Sequence, residues 1–368
     1  MKLAFLLFEY SPYGGLQRDF LRVARAALVR GHRVQAVVSR WEGARPTGLE
    51  IVELPVRAAS NHARMRRFAE AVAGALSAFG PDQVLGFNRL PGLDAYFASD
   101  SCFAEQLTAK PSLVRVLPRY RTYLKLEQAA LSRAYCFFLN DRQKDEYLRH
   151  YRLARGRYEV LPPGIEKDRK RADNATALRA DTRRELGLAE HHKVVLFLGS
   201  GFRVKGLDRA LTAFAGLPRD RAGNTRLLIV GNDDAAPYLK GLNEDQRQRV
   251  HVLGPRDDVP ALLQAADLLL HPAYRESAGL VLLEAAAAGL PVLTTDTCGF
   301  ARYVSEAGAG EVISSPFQQA SLNRLLIEMV DAVPGSWSAK GIEFGRQEWL
   351  YRLPERVVDR LETLQDSQ

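Results

Sequence analysis

Short apolar runs alternate with amphipathic stretches along almost the whole chain, in two separate series. Leu3–Phe8 reads as a strand, Leu16–Arg30 as a helix and Arg33–Val38 as the next strand. Further strands are expected at Gln83–Phe87, Cys136–Leu139 and Tyr158–Leu161. A charged, weakly apolar stretch follows from Glu166 to Glu185. The second series then runs through Val194–Leu198, Leu227–Val230, Val250–Leu253, Leu268–Leu270 and Val292–Thr294. Strands alternating with helices make parallel sheets covered on both faces, and 368 residues exceed what one core usually serves. The expectation is an α/β chain of two Rossmann-like, doubly wound parallel-sheet domains facing an interdomain cleft. Leu161-Pro162-Pro163-Gly164 marks the boundary, because two prolines and a glycine end a strand and stiffen a hinge. The domains then cover residues 1–163 and 164–345. A helical segment at 346–368 returns to the first domain, with Val357, Val358, Leu361 and Leu364 on one stripe.

Composition removes several classes. The cysteines Cys102, Cys136 and Cys298 are odd in number and lack C-x-x-C spacing, which argues against a disulfide framework or a zinc site and fits a reducing cytoplasm. Nothing approaches the run of about 18 apolar residues that a membrane span needs. Leu3–Phe8 is too short for a signal peptide and has no small-residue cleavage site after it. Net charge is +8, but residues 1–163 hold 25 Lys/Arg against 15 Asp/Glu, so all the excess lies in the first half. That asymmetry suggests an anionic partner, whether membrane, phosphorylated substrate or nucleic acid; the bland reading is charge kept for solubility.

Ligands of doubly wound sheets bind beyond the carboxyl ends of the strands, so motifs just after strands matter most. The strongest runs from His271 to Leu280 and on to Glu284. It follows a strand and opens a helix over about Gly279–Ala288, so the amides of Gly279, Leu280 and Val281 can hold a diphosphate. Ala278 precedes them. A carboxylate near a diphosphate would be repelled unless it served hydroxyls, since it only accepts hydrogen bonds. Glu276 and Glu284 therefore suit a sugar and a ribose, although a lone glutamate pair is more often a helix-end acid and a solvated surface residue. The second motif is Gly199 to Gly206, where Arg203 and Lys205 can neutralise a leaving diphosphate. The third is Pro12 to Asp19, in which Gly14-Gly15 opens a helix and allows close approach. It is not G-x-G-x-x-G, which disfavours a nicotinamide enzyme.

The E-x7-E pair followed by Ala288-Gly289-Leu290-Pro291-Val292 resembles the retaining glycosyltransferases of family 4, GT-B type. The resemblance implies that Glu276 contacts the transferred sugar, Glu284 the ribose, and an Arg and a Lys the diphosphate. Lys205-Gly206 matches; the usual arginine position holds Ser200, and Arg203 is the substitute. Gly14–Phe20, Trp41-Glu42-Gly43, Gly86-Phe87-Asn88, Pro91–Asp94, Leu161–Ile165, Asp168–Lys170 and His271–Thr295 extend the resemblance to one subgroup, the bacterial glucosyltransferases of the lipopolysaccharide inner core. It implies a UDP-sugar donor, an inner-core heptose acceptor, and peripheral placement on the cytoplasmic face of the inner membrane. The first domain would then bind the acceptor and the second the nucleotide sugar.

Lys110, Arg115, Arg119, Arg121 and Lys125 fall in an acid-free window interleaved with apolar and aromatic residues, which suits an anionic membrane surface. Arg64, Arg66 and Arg67 form a second cluster, suited to acceptor phosphates. Arg169 and Arg256 are expected to assist at the diphosphate, Asp19 to belong to the donor site, and Asp100 to meet a sugar hydroxyl or assist the acceptor. With no D-x-D triplet, no metal or other cofactor is expected. No nucleic-acid motif is recognised. UDP-N-acetylgalactosamine or another UDP-sugar is the alternative donor. A UDP-sugar 2-epimerase and a non-catalytic membrane-peripheral protein are the rival classes.

Overall fold

The computed structural model describes residues 1–12, 14–332 and 335–366. They fall into two compact units, Met1–Gly164 with Arg352–Gln368, and Ile165–Tyr351. Residues 346–351 thus belong to the second unit, and only the chain from Arg352 onward returns to the first.

In the first unit, β1 (Lys2–Tyr10), β2 (Arg33–Trp41), β3 (Leu49–Glu53), β4 (Gln83–Gly86), β5 (Ala95–Ala98), β6 (Tyr135–Phe138) and β7 (Tyr158–Val160) form one sheet. Their order is β3-β2-β1-β4-β5-β6-β7, and every pair is parallel. The apolar runs are continuous because both faces are covered: Leu3 to Leu7 and Val34 to Val38 are buried, apart from no more than a sliver at Gln35. Phe5, Phe20 and Phe87 meet edge-on or tilted, Phe87 stacks on Phe97, and Tyr10 stacks on Trp41 at 3.9 Å. The helix Leu353–Asp366 lies on the helix Gly15–Val29. Arg30 bonds Asp359 at 2.6 Å and Glu362 at 2.9 Å, and Arg356 reaches Glu159.

In the second unit, β8 (Lys193–Leu198), β9 (Thr225–Val230), β10 (Val250–Gly254), β11 (Leu268–His271), β12 (Val292–Thr295) and β13 (Gly310–Ile313) are again all parallel, in the order β10-β9-β8-β11-β12-β13. Both sheets therefore reverse direction of growth beside their first strand, the switch point where such sheets bind ligands. Three strands go beyond those the apolar runs predict: β3, β5 and β13. They are four or five residues long, and β3 and β13 sit at sheet edges where acids and glycine are tolerated.

Candidate functional site

The switch point of the second unit lies between β8 and β11, and the two strongest motifs leave from those strands. Gly206 sets their approach. It has φ +76°, and a Cβ there would lie 2.2 Å from the carbonyl oxygen of Pro272, so only glycine lets the two loops pack. Tyr274 N–H then donates to Val204 O at 2.8 Å. Arg209 braces the same turn: its guanidinium sits between the rings of Tyr274 and Phe317, at 3.5 and 3.7 Å, and donates to Pro272 O and Ala273 O.

This packing brings Lys205 to Glu276. The Lys205 ammonium donates directly to Glu276 Oε2, with only 18% and 22% of the two side chains exposed. Glu276 is also pinned through its backbone, since its N–H donates to Thr297 O at 3.2 Å and its carbonyl accepts from Gly299 N–H at 3.1 Å. His271 Nε2 lies 3.8 Å from the same carboxylate oxygen. Burial would raise the Glu276 carboxyl, but His271 and Lys205 outweigh it and hold the group down at about 2. His271 is fully buried, which pushes its imidazole below the ordinary histidine value.

Gly279 is the N-cap of the helix Leu280–Ala287, in the left-handed region at φ +85°. The first amides of that helix, at Leu280 and Val281, have no acceptor within it. Ala278 is half-buried, and its carbonyl accepts from Phe300 N–H at 2.8 Å. The helix is apolar all round and enclosed, so Glu284 is 4% exposed and not a solvated surface acid. Arg169, buried on the short turn Lys167–Arg169, stands 3.8 Å from Glu284 Oε1. Arg203 is exposed on the turn Phe202–Lys205.

The other expected residues stand on other elements. Arg256 is held by Asp258 at 2.6 Å and Glu185 at 3.0 Å, so two carboxylates already neutralise it. In the first unit, Gly14 caps the helix Gly15–Val29 with an ordinary φ of −101°, and Gly15 has open space where a Cβ would be. Neither glycine is demanded by the backbone; Tyr13 lies outside the described residues. Asp19 is buried, 3.6 Å from Arg22. Asp100 accepts from Arg89 Nη1 at 3.2 Å. Arg64 pairs with Glu9, Arg66 lies 3.8 Å from Glu70, and Arg67 donates to Arg57 O. Lys110, Arg115, Arg119, Arg121 and Lys125 are all exposed, Lys110 just before the turn Ser112–Val116 and the others on that turn and the helix Pro118–Leu131.

Sequence reasoning missed four residues with evident roles here. His271 and Arg209 stand beside the motifs but act through the fold. Asp233 accepts from the amides of Gly201 and Phe202 and so occupies the amide pair of the Gly199–Gly206 loop itself. Buried Glu127 accepts from Arg89 at 2.9 Å, Phe103 N–H at 2.7 Å, Ala104 N–H at 3.0 Å and Tyr151 O–H at 2.7 Å. Apolar runs and motif spacing carry no signal for such partners.

Residues 179–333 match the family model for glycosyl transferases group 1. Lipopolysaccharide glucosyltransferase WaaG of Escherichia coli (strain K12) is 41% identical over 367 residues, 98% of this chain and 98% of that protein. D-inositol 3-phosphate glycosyltransferase of Nocardia farcinica is 34% identical over 44% of this chain and 38% of its own length. A crystal structure of WaaG superposes with a TM-score of 0.92 at 40% identity, covering 98% of this chain and 99% of that one. HepE of Anabaena, solved with UDP and glucose, shares the fold at a TM-score of 0.75, with 18% identity over 99% of this chain and 100% of its own. On the near-complete match to WaaG, joined to two doubly wound sheets with paired motifs at a switch point, the chain belongs to the group 1 glycosyl transferases, in the family of the lipopolysaccharide glucosyltransferases.

Proposed function

We propose that this glycosyltransferase moves a hexose, glucose in the first instance, from a UDP-sugar to a heptose of the lipopolysaccharide inner core, with retention at the anomeric carbon. The observation that carries the reading is the meeting of Lys205, Glu276 and the Gly279 helix start at one switch point. Lys205 and the helix amides offset the charge that develops on the departing diphosphate. Arg203, exposed on the same loop, adds a second cation. Glu276, ionised and oriented, accepts from hydroxyls of the transferred sugar, Glu284 serves the ribose, and Arg169 beside Glu284 assists at the diphosphate. The acceptor hydroxyl attacks the face that the diphosphate leaves. The E. coli relative is named as a lipopolysaccharide glucosyltransferase, which supports glucose as the sugar moved and lipopolysaccharide as the acceptor.

The same reading places the protein on an anionic membrane surface. Leu113 and Val116 are 78% and 65% exposed among the five cations of the 110–125 window. Apolar side chains that enter the interface beside basic ones that hold headgroups make a peripheral anchor. No described helix is long and apolar enough to cross a membrane.

Incubation with a panel of UDP-sugars and truncated lipopolysaccharide tests the reading by mass shift. A hexose gain with UDP-glucose is expected. A gain only with UDP-N-acetylgalactosamine reassigns the donor, and no gain with any donor refutes the transfer.

A further inference from the structure

Lys205 and Glu276 cannot both do their work while they hold each other. The ammonium is needed at a diphosphate and the carboxylate at sugar hydroxyls, yet here the ammonium is spent on the carboxylate. The two side chains are mostly buried, so a carboxylate left behind by Lys205 would have to find another donor. Water is a poor substitute in a pocket filled by a ligand.

One candidate donor is present. His271 is fully buried at the end of β11, its ring parallel to that of Phe197 at 6.5 Å between centroids. Among the described residues, neither of its ring nitrogens has a hydrogen-bond partner. A buried imidazole without partners is costly, and such groups are rare in folded proteins. Nε2 faces Glu276 Oε2 across 3.8 Å, just beyond bonding distance. The neutral ring carries one N–H, which at Nε2 would point at that oxygen.

We propose that Lys205 changes partner when the donor arrives, passing from Glu276 to the diphosphate, and that His271 is the positioning residue that then holds Glu276 toward the sugar. The inference rests on the transferase reading above. It makes the Lys205–Glu276 pair a latch of the empty site, which donor binding must open. No proton leaves any group in the exchange; Lys205 stays cationic, Glu276 anionic and His271 neutral.

The latch weakens binding of UDP by the strength of the pair it breaks. Titration of UDP by calorimetry therefore separates the cases. Glu276→Gln is expected to bind UDP about fivefold more tightly than the natural protein, roughly 1 kcal/mol. That gain must vanish when Lys205→Met is present in both arms of the comparison. A gain that persists without Lys205 is repulsion relieved by removing a charge, and it overturns the exchange, as does no gain at all. A natural protein that binds no UDP refutes the transferase reading itself, a different failure.

For His271 the readout is the added affinity of UDP-sugar over UDP. His271→Gln keeps an N–H at similar reach and is expected to preserve that increment. His271→Leu fills the slot without a donor and is expected to lose most of it, with UDP affinity unchanged. Equal increments in the two variants overturn the positioning role.

Discussion

At the residue scale, the state of Glu276 follows from competing terms. Burial disfavours the carboxylate, and His271 and Lys205 favour it enough to bring the group from its ordinary 4.5 to about 2. A carboxyl depressed by folding stabilises the folded protein above its unfolded value, and that contribution disappears as pH falls through the folded value. The advantage of the natural protein over Glu276→Gln in thermal unfolding is thus constant above about pH 5 and shrinks between 4.5 and 2. An advantage that does not change with acid contradicts the depressed carboxyl. Lys205 and Glu276 were legible in the sequence because each follows a strand in a motif. His271 was printed in the same motif, but its meaning depends on the wall of Phe197 and on a carboxylate 3.8 Å away. Glu127 had no signal at all; its donors come from residues 89, 103, 104 and 151 of the sequence.

At the element scale, long buried strands were readable from their apolar runs, while β5 was not. Ala95–Ala98 is four residues with alanines at both ends, too short and too weak in strand preference to stand out; β4 and β6 on either side make it a strand. The helix Leu280–Ala287 was expected and Glu284 within it was read as a ribose contact; what the sequence did not show is that the helix Ser336–Gly345 packs on its last turn. Gly341 and Gly345 let that helix approach Ala286 and Ala287, where a Cβ would lie 2.5 Å and 2.8 Å from the backbone. The 110–125 window behaves differently: it is largely exposed, and the helix Pro118–Leu131 that carries its second half is anchored beyond it by buried Leu126, Glu127, Ala130 and Leu131. An element tied at one end and apolar at the other suits docking on a surface. Neutralising Lys110, Arg115, Arg119, Arg121 and Lys125 together is expected to weaken binding to anionic vesicles by more than about tenfold, since each surface cation contributes on the order of 1 kcal/mol. Flotation or cosedimentation reads this, and unchanged binding contradicts the membrane assignment.

At the scale of the molecule, the chain is two sheets built on one plan. In each, the strand order turns beside the first strand, so loops that follow β1 and β4 in one unit, and β8 and β11 in the other, stand at a switch point. Both series were legible because parallel strands buried on both faces leave uninterrupted apolar runs; the boundary was expected at Leu161–Gly164 from its prolines and glycine, and the units divide after Gly164. The return of Arg352 onward to the first unit was expected from an amphipathic stripe, though six residues of the expected segment stay with the second. The excess charge also follows this division, with the first half basic and the second slightly acidic. The account rests on the second unit's switch point as the place where a sugar nucleotide is activated. Initial rates of hexose transfer from UDP-glucose to truncated lipopolysaccharide, compared between the natural protein, Lys205→Met and Glu276→Ala, test that most directly. Each variant is predicted to lose at least about a hundredfold in kcat while folding normally; a Glu276→Ala protein that keeps full transfer contradicts the account.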